Sequence, residues 1–327
     1  MINSLRRFTH LLTFLLTLTL YPFVDAHADN KIVTIGFQKG SGLLAVLKAQ
    51  GTLEKTLETQ KIQLNWIEFP AGPQLLEALH TGNVDFGYTG APPPVFAQAA
   101  GVELMYVGAE PASPGAEAIV VQKDSPIKNV NELKGKKVAF QKGSSANLLI
   151  VTALRRAGLT VNDITPVYLT PADARAAFIS GSVDAWAIWD PYFAAIAQSV
   201  PVRVLADHQG LLPANSFYEA SRRFTQQYPA VLSAILNELA KTGAWATQHP
   251  QQVASILSGQ LHMPEATLLT WQQRVHYGVT PVTPDIVGRQ QEIADLFFQQ
   301  KLIPKAVRIS ERVWLWSPAS TTTAGTH

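Results

Sequence analysis

The chain of 327 residues contains no cysteine. That absence excludes disulfides, thiolate nucleophiles, iron–sulfur clusters, cysteine–zinc sites and a lipid attached through cysteine. Charge is also scarce: Asp, Glu, Lys and Arg make up 15% of residues, and the formal net charge is +2. No cluster of lysine and arginine offers a footprint for nucleic acid or an anionic membrane. Catalytic motifs are missing as well. The histidines after residue 28 (His80, His208, His249, His262, His276 and His327) form no i, i+4 pair and no H-E-x-x-H motif. Gly143-Ser144-Ser145-Ala146-Asn147 lacks the closing glycine of a nucleophile elbow. Ser125-Pro126-Ile127-Lys128 matches S-x-x-K, but its proline spoils helical presentation. No phosphate-loop lysine motif occurs. Catalytic and metal-binding signals are therefore poor, and no catalytic residue or metal ligand is expected.

What is present begins with an export signal. Arg6 and Arg7 form a basic start, residues 11–24 run almost without charge, and Ala26-His27-Ala28 is a small-residue cleavage pattern. The apolar run is shorter than the ~20 residues that a spanning helix requires. Cleavage after Ala28 removes Arg6, Arg7 and Asp25, two positive charges and one negative, and leaves a mature charge of +1. With no cysteine to lipidate, the product is expected to be free in the periplasm of a Gram-negative cell.

The body of the chain repeats itself. Residues 32–37 (IVTIGF) read as a buried strand running into Gln38-Lys39-Gly40-Ser41 and a helix from residue 43. Residues 137–140 (KVAF) read as a strand running into Gln141-Lys142-Gly143-Ser144 and a second helix. A further pair follows in the same order: Gly82-Asn83-Val84-Asp85 and Gly181-Ser182-Val183-Asp184, each after an amphipathic helix and before a strand. The offsets are 103 and 99 residues, so two similar units follow one another. Each glycine is a candidate left-handed residue just past a helix end. Strands alternating with helices predict an α/β fold with parallel-rich sheets and helices on both faces.

Residues 109–115 (AEPASPG) read as a crossover and residues 210–215 (GLLPAN) as the return. Residues 229–248 carry apolar side chains at helical spacing, and shorter helices follow, bounded by Pro264, Pro281, Pro284 and Pro304. This segment is expected to pack back on the first unit. The resulting division is a signal peptide at 1–28, a first lobe at 29–112 and 216–316, and a second lobe at 113–215. Residues 317–327 are small and polar, and read as a disordered tail.

The two Gln-Lys-Gly-Ser turns are the best candidate site. A helix start presents unpaired N–H groups and the positive end of a dipole, which suits an anion. Ligands in open α/β sheets bind at the carboxyl ends of strands, where both turns fall. Gly40, Gly42 and Gly143 permit close backbone approach, Ser41, Ser144 and Ser145 add hydroxyl donors, and Gln38 adds an amide. Facing each other across a cleft, the turns would grip a tetrahedral anion from both sides. Gly90 and Ala91, in Thr89-Gly90-Ala91-Pro92-Pro93-Pro94, are expected to line that cleft. Trp189, in Trp189-Asp190-Pro191, offers an apolar wall for a ligand tail. Asp190 would bind a ligand amine or brace a loop N–H. Trp186 is assigned to the core.

Five runs carry a family resemblance: Gly36-Phe37-Gln38-Lys39-Gly40-Ser41; Glu68-Phe69-Pro70-Ala71-Gly72-Pro73-Gln74; residues 138–145 (VAFQKGSS); residues 168–178 (YLTPADARAAF); and residues 184–192 (DAWAIWDPY). Together they resemble the periplasmic aliphatic sulfonate-binding proteins of ABC importers, from about Ile32 to Trp314. The resemblance implies a two-lobed periplasmic binding protein of type II, the flytrap form, with an alkanesulfonate in the interlobe cleft. It implies no catalysis and no cofactor, partners in a membrane permease and its ATPase, and action as a monomer. Taurine, nitrate or another small oxyanion are the alternative ligands. A same-fold enzyme is the alternative class, disfavoured by the missing cysteine of the desulfinase and by the export signal. Two departures stand out. Ala91 replaces an Asp common in the family, and the second turn runs from Ser145 directly into Ala146, one residue short. Loss of the acid at residue 91 is expected to favour uncharged or anionic tails over amines.

Overall fold

A computed structural model describes residues 31–318 of the chain. The leader expected at 1–28 and residues 319–327 of the tail lie outside the described residues. Ser317 and Pro318 are exposed and without regular structure.

The first half of the chain alternates strand and helix. Its elements are β1 (Lys31–Phe37), α1 (Gly42–Gln50), α2 (Thr52–Glu58), β2 (Ile62–Glu68), α3 (Gly72–His80), β3 (Phe86–Thr89), α4 (Pro92–Ala100) and β4 (Leu104–Glu110). Residues 111–116 cross to a second set: β5 (Glu117–Gln122), β6 (Lys137–Phe140), α5 (Ser145–Arg156), β7 (Thr165–Tyr168), α6 (Pro171–Ile179), β8 (Ala185–Trp189), α7 (Tyr192–Ser199) and β9 (Val202–Asp207). Residues 208–215 return to β10 (Ser216–Ser221). The chain then runs through α8 (Arg222–Gln227), α9 (Pro229–Gln248), α10 (Pro250–Leu261), α11 (Glu265–Gln272) and α12 (Pro284–Gln299).

These strands form two five-stranded sheets on one plan. The first has order β2-β1-β3-β10-β4 and the second β7-β6-β8-β5-β9. β1 pairs in parallel with β2 and β3, as β6 does with β7 and β8. In each sheet one strand contributed across a crossover, β10 or β5, pairs antiparallel with both neighbours. The sequence echo is thus a structural repeat: β1 corresponds to β6, and β3 to β8. Gly82 and Gly181 both adopt the left-handed conformation, at φ +78° and +74°, directly before β3 and β8. Only glycine takes that geometry without a Cβ penalty.

Local signals set the element boundaries. α6 begins at Thr170, whose hydroxyl accepts the Asp173 N–H, with Pro171 at the first helical position. α9 buries Val231, Leu232, Ile235, Leu236 and Leu239 along one stripe. Strand residues alternate between two cores. Val33, Ile35, Phe37, Tyr218 and Ala220 pack with α1, α9 and α10 on one face. Leu104, Tyr106 and Phe217 pack with α3, α4 and α12 on the other. The second sheet centres on Phe140, Phe178 and Trp186, all inaccessible or nearly so. Each such aromatic side chain contributes about 2–3 kcal/mol through burial. Leu148 and Val151 of α5 join the α4–α12 core, which fastens the two halves together. On the other side α11 meets α7, where Gln198 accepts from Thr267 Oγ1 at 2.6 Å and donates to Thr270 Oγ1 at 2.9 Å.

Candidate ligand-binding site

A cavity of about 420 Å³ lies where the carboxyl ends of β1, β3, β6 and β8 converge with the two crossovers. Its polar end is built from helix starts. Gln38 and Gly40 precede α1, Gly72 opens α3, and Ser144 and Ser145 open α5; all five line the cavity. The first N–H groups of such helices have no intrahelical acceptor. α4 differs because Pro92, Pro93 and Pro94 occupy its first turn. Proline carries no N–H, so this helix start presents rings instead of donors.

The two halves touch at this end. A Cβ added at Gly40 would lie 3.2 Å from Trp189 Cδ1 and 3.3 Å from the Asp190 carbonyl oxygen. A Cβ at Gly90 would lie 3.0 Å from that of Ser145. Glycine at both positions lets the facing turns approach. Gln38 is anchored by its side-chain amide, which donates to the Tyr88 carbonyl at 3.1 Å. Apolar surface completes the cavity through Trp189, Trp271, Leu211, Val275 and several prolines.

Of the residues expected from sequence, Gln38, Gly40, Gly90, Ser144, Ser145, Trp189 and Asp190 line the cavity, and five others stand behind its wall. Ser41 is buried, with its hydroxyl accepting the Gln38 N–H at 3.1 Å. Gly42 makes room for Trp271 and Tyr277, since a Cβ there would lie 2.9 Å from the Tyr277 hydroxyl. Ala91 is turned away: it is buried, and its carbonyl accepts from Gln290 Nε2 at 2.7 Å. Gly143 is left-handed at φ +72° and donates its N–H to Asn147 Oδ1 at 2.9 Å. Ala146 follows Ser145 on α5 and points into the core.

Asp190 braces structure in both of its contacts. Its carboxylate accepts the Ala194 N–H at 2.9 Å and takes a bidentate bridge from Arg274, at 2.8 Å from Nε and 2.7 Å from Nη2. The guanidinium also lies over the Phe193 ring, 4.4 Å from its centre. Burial pushes the Asp190 carboxyl up, and Arg274 pulls it back.

Sequence reasoning missed three further residues of the lining. Glu110 ends β4 and is nearly inaccessible, accepting hydrogen bonds from the Tyr218 and Tyr88 hydroxyls. Burial raises its pKa to about 7 against the lowering effect of both tyrosines. Glu117 opens β5 and pairs with His208 Nε2 at 3.2 Å. Glu110, Glu117 and His208 all line the cavity. The available signal was position: Glu110 and Glu117 flank the proline-rich crossover at the ends of two apolar strands. Glu219, deeper in the first sheet, accepts from Thr89 Oγ1 at 2.6 Å and is held well above the usual carboxylate range by burial.

Two mixed α/β sheets joined by two crossovers, with a cavity at their strand ends, define the periplasmic binding protein fold. Residues 58–253 match the family model described as NMT1/THI5 like. A relative in Escherichia coli (strain K12), provisionally named an aliphatic sulfonates-binding protein, is 46% identical over 292 residues, 89% of this chain and 91% of its own length. The alkanesulfonate-binding protein from Xanthomonas axonopodis pv. citri, solved bound to MOPS, superposes with a TM-score of 0.82 at 40% identity, covering 86% of this chain and 98% of that one. The periplasmic aliphatic sulphonate binding protein from Escherichia coli superposes with a TM-score of 0.79 at 43% identity, covering 91% and 96%. The chain belongs to the NMT1/THI5-like family, within the group of these aliphatic sulfonate-binding proteins.

Proposed function

We propose that the chain is the periplasmic solute-binding component of an ABC importer, and that it holds aliphatic sulfonates in the cavity between the sheets. One observation carries the reading. Starts of helices that follow strands of the two sheets face one cavity, and among the described residues no lysine or arginine lines it. A permanently charged oxyanion is met there by backbone dipoles and hydroxyls. In this reading the sulfonate sits between Gly40 and Gly72 on one side and Ser144 and Ser145 on the other. Trp189 and Trp271 flank its tail.

The family assignment supports the rest. Residues 1–28 act as a cleaved signal peptide and place the mature chain in the periplasm. Residues 29–112 with 216–316 form one lobe, and 113–215 the other. Ligand bridging the two turns favours the closed form, which a membrane permease with its ATPase accepts. The protein catalyses nothing.

Calorimetric titration of ligand-stripped residues 29–327 with ethanesulfonate, octanesulfonate, nitrate and sulfate tests this. The expected result is one-to-one sulfonate binding at dissociation constants on the order of micromolar, about −8 kcal/mol. Binding of nitrate or sulfate with every sulfonate silent would overturn it.

A further inference from the structure

Away from the crossovers the two halves meet at contacts that differ in kind. Leu148 and Val151 of α5 are inaccessible or nearly so within the α4–α12 core. Parting that contact would expose apolar surface to water. The contact between α7 and α11 instead runs through an exposed glutamine. Gln198 Nε2 donates to the Thr270 hydroxyl at 2.9 Å and to the Ala266 carbonyl at 3.1 Å, and Gln198 Oε1 accepts from the Thr267 hydroxyl at 2.6 Å. Water replaces such partners at small cost. The α4–α5 contact is therefore the one that holds, and the α7–α11 contact the one that parts.

Each helix of the parting contact is fixed within its own half. Phe193 and Ile196 of α7 pack in the core of the second sheet, and Leu268 and Trp271 of α11 in a core of the first. Just beyond α11, the His276 N–H donates to Ser113 Oγ of the first crossover at 2.9 Å, which ties that end of the segment to the linking chain. Trp271, next to Thr270, lines the cavity, whereas Gln198, Thr267 and Thr270 do not. One short helix thus carries a piece of the ligand wall and the groove partners of a glutamine from the other half.

We propose that Gln198 is a positioning residue that sets how tightly sulfonates are held, its three hydrogen bonds forming as the halves close and fastening α11 to α7. The inference rests on the sulfonate reading of the cavity and on closure about the two crossovers. A ligand that needs the closed form has its affinity scaled by the closed fraction. Loosening the latch therefore weakens every sulfonate by one common factor, whereas a change in the cavity lining would alter their ranking by tail.

Calorimetric titration of Gln198→Ala with ethanesulfonate and octanesulfonate reads that factor. Both dissociation constants are expected to rise about fivefold, within the range that net hydrogen bonds supply, and their ratio to stay within about twofold of wild type. The ligand-free melting temperature is expected to change by less than about 2 °C, since the open form makes none of these bonds. Thr267→Val, similar in shape, removes one donor and is expected to weaken both ligands alike. The double variant is expected to lose no more than about what Gln198→Ala loses, because the two residues share one latch. Thr267→Val also carries the test if Gln198→Ala folds poorly. Unchanged dissociation constants, or a loss confined to one of the two sulfonates, would overturn this inference while leaving the sulfonate reading in place. If the wild type binds nitrate or sulfate and no sulfonate, the sulfonate reading falls and the latch is judged by the same rise on that anion. Silence toward every anion would overturn both.

Discussion

The tetrapeptide Gln-Lys-Gly-Ser ends equivalent strands of the two sheets, yet its two copies fold differently. In the first, Gly40 lines the cavity and Ser41 is buried, holding the turn together through the Gln38 N–H. In the second, Gly143 is left-handed and out of the cavity, and Ser144 lines it. The fastening differs too: Asn147, one turn into α5, accepts the Gly143 N–H, and the Ser144 hydroxyl donates to the Gln141 carbonyl at 2.7 Å. Each copy carries a glycine and a serine, and the two residues exchange roles between cavity wall and internal support. A repeated motif here marks a place in the fold, and the flanking residues decide which of its atoms meet the ligand.

Exchange of roles predicts opposite effects for like substitutions. Gly40→Val would drive a branched side chain into Trp189 across the gap between the halves. It is expected to abolish sulfonate binding, a loss of more than about 4 kcal/mol or a thousandfold, with a melting temperature within a few degrees of wild type. Gly143→Ala is expected to do the reverse. Its left-handed backbone costs about 1–2 kcal/mol of stability with any Cβ, while sulfonate affinity changes by less than about threefold. Titration and thermal melts of both variants settle the comparison, and equal losses of affinity would erase it.

The halves also differ in how they hold their acids. Asp190, in the second half, is met by a guanidinium that Arg274 brings across from the first. Arg274→Ala leaves a carboxylate buried with only one N–H donor, and is expected to cost about 3 kcal/mol in urea denaturation. The first half meets Glu110 with neutral hydroxyls. Its folded pKa of about 7 lies above the ordinary 4.5, so the folded state binds the extra proton between those values. Stability from this group is complete below about pH 4.5 and is lost as pH rises through 7, by up to about 3 kcal/mol. Glu110→Gln is expected to flatten that part of the pH–stability curve, measured by urea denaturation between about pH 4 and 8. The smallest effects concern the fasteners. Asn147→Ala and Ser41→Ala each remove one acceptor of a buried N–H, at about 1–2 kcal/mol. Because they support different turns, the double variant is expected to lose the sum.

Much of this fold was legible because it obeys short-range rules. Gly82 and Gly181 identified left-handed helix ends, and the stripe from Val231 to Leu239 a core-facing helix. The paired Gln-Lys-Gly-Ser and Gly-x-Val-Asp runs gave the repeat, and the repeat gave two sheets. The cavity was legible only at its helix starts. Which of Gly40, Ser41 and Gly42 faces the ligand depends on the packing of Trp271, Tyr277 and Trp189, remote in sequence. Ala91 is fixed by Gln290, 199 residues away. Glu110, Glu117 and His208 carried no motif, and their places on the cavity depend on two crossovers whose paths no local pattern encodes. Arg274 likewise reaches Asp190 from the far end of the chain.

A crystal structure of the mature protein with octanesulfonate tests the central claim most directly, that both strand-end turns hold one anion. The account expects the sulfur between Gly40 and Ser144–Ser145, with sulfonate oxygens about 3 Å from backbone nitrogens of both halves and the alkyl chain against Trp189 and Trp271. A sulfonate seated beside Glu110 or His208, or touching only one turn, would contradict it.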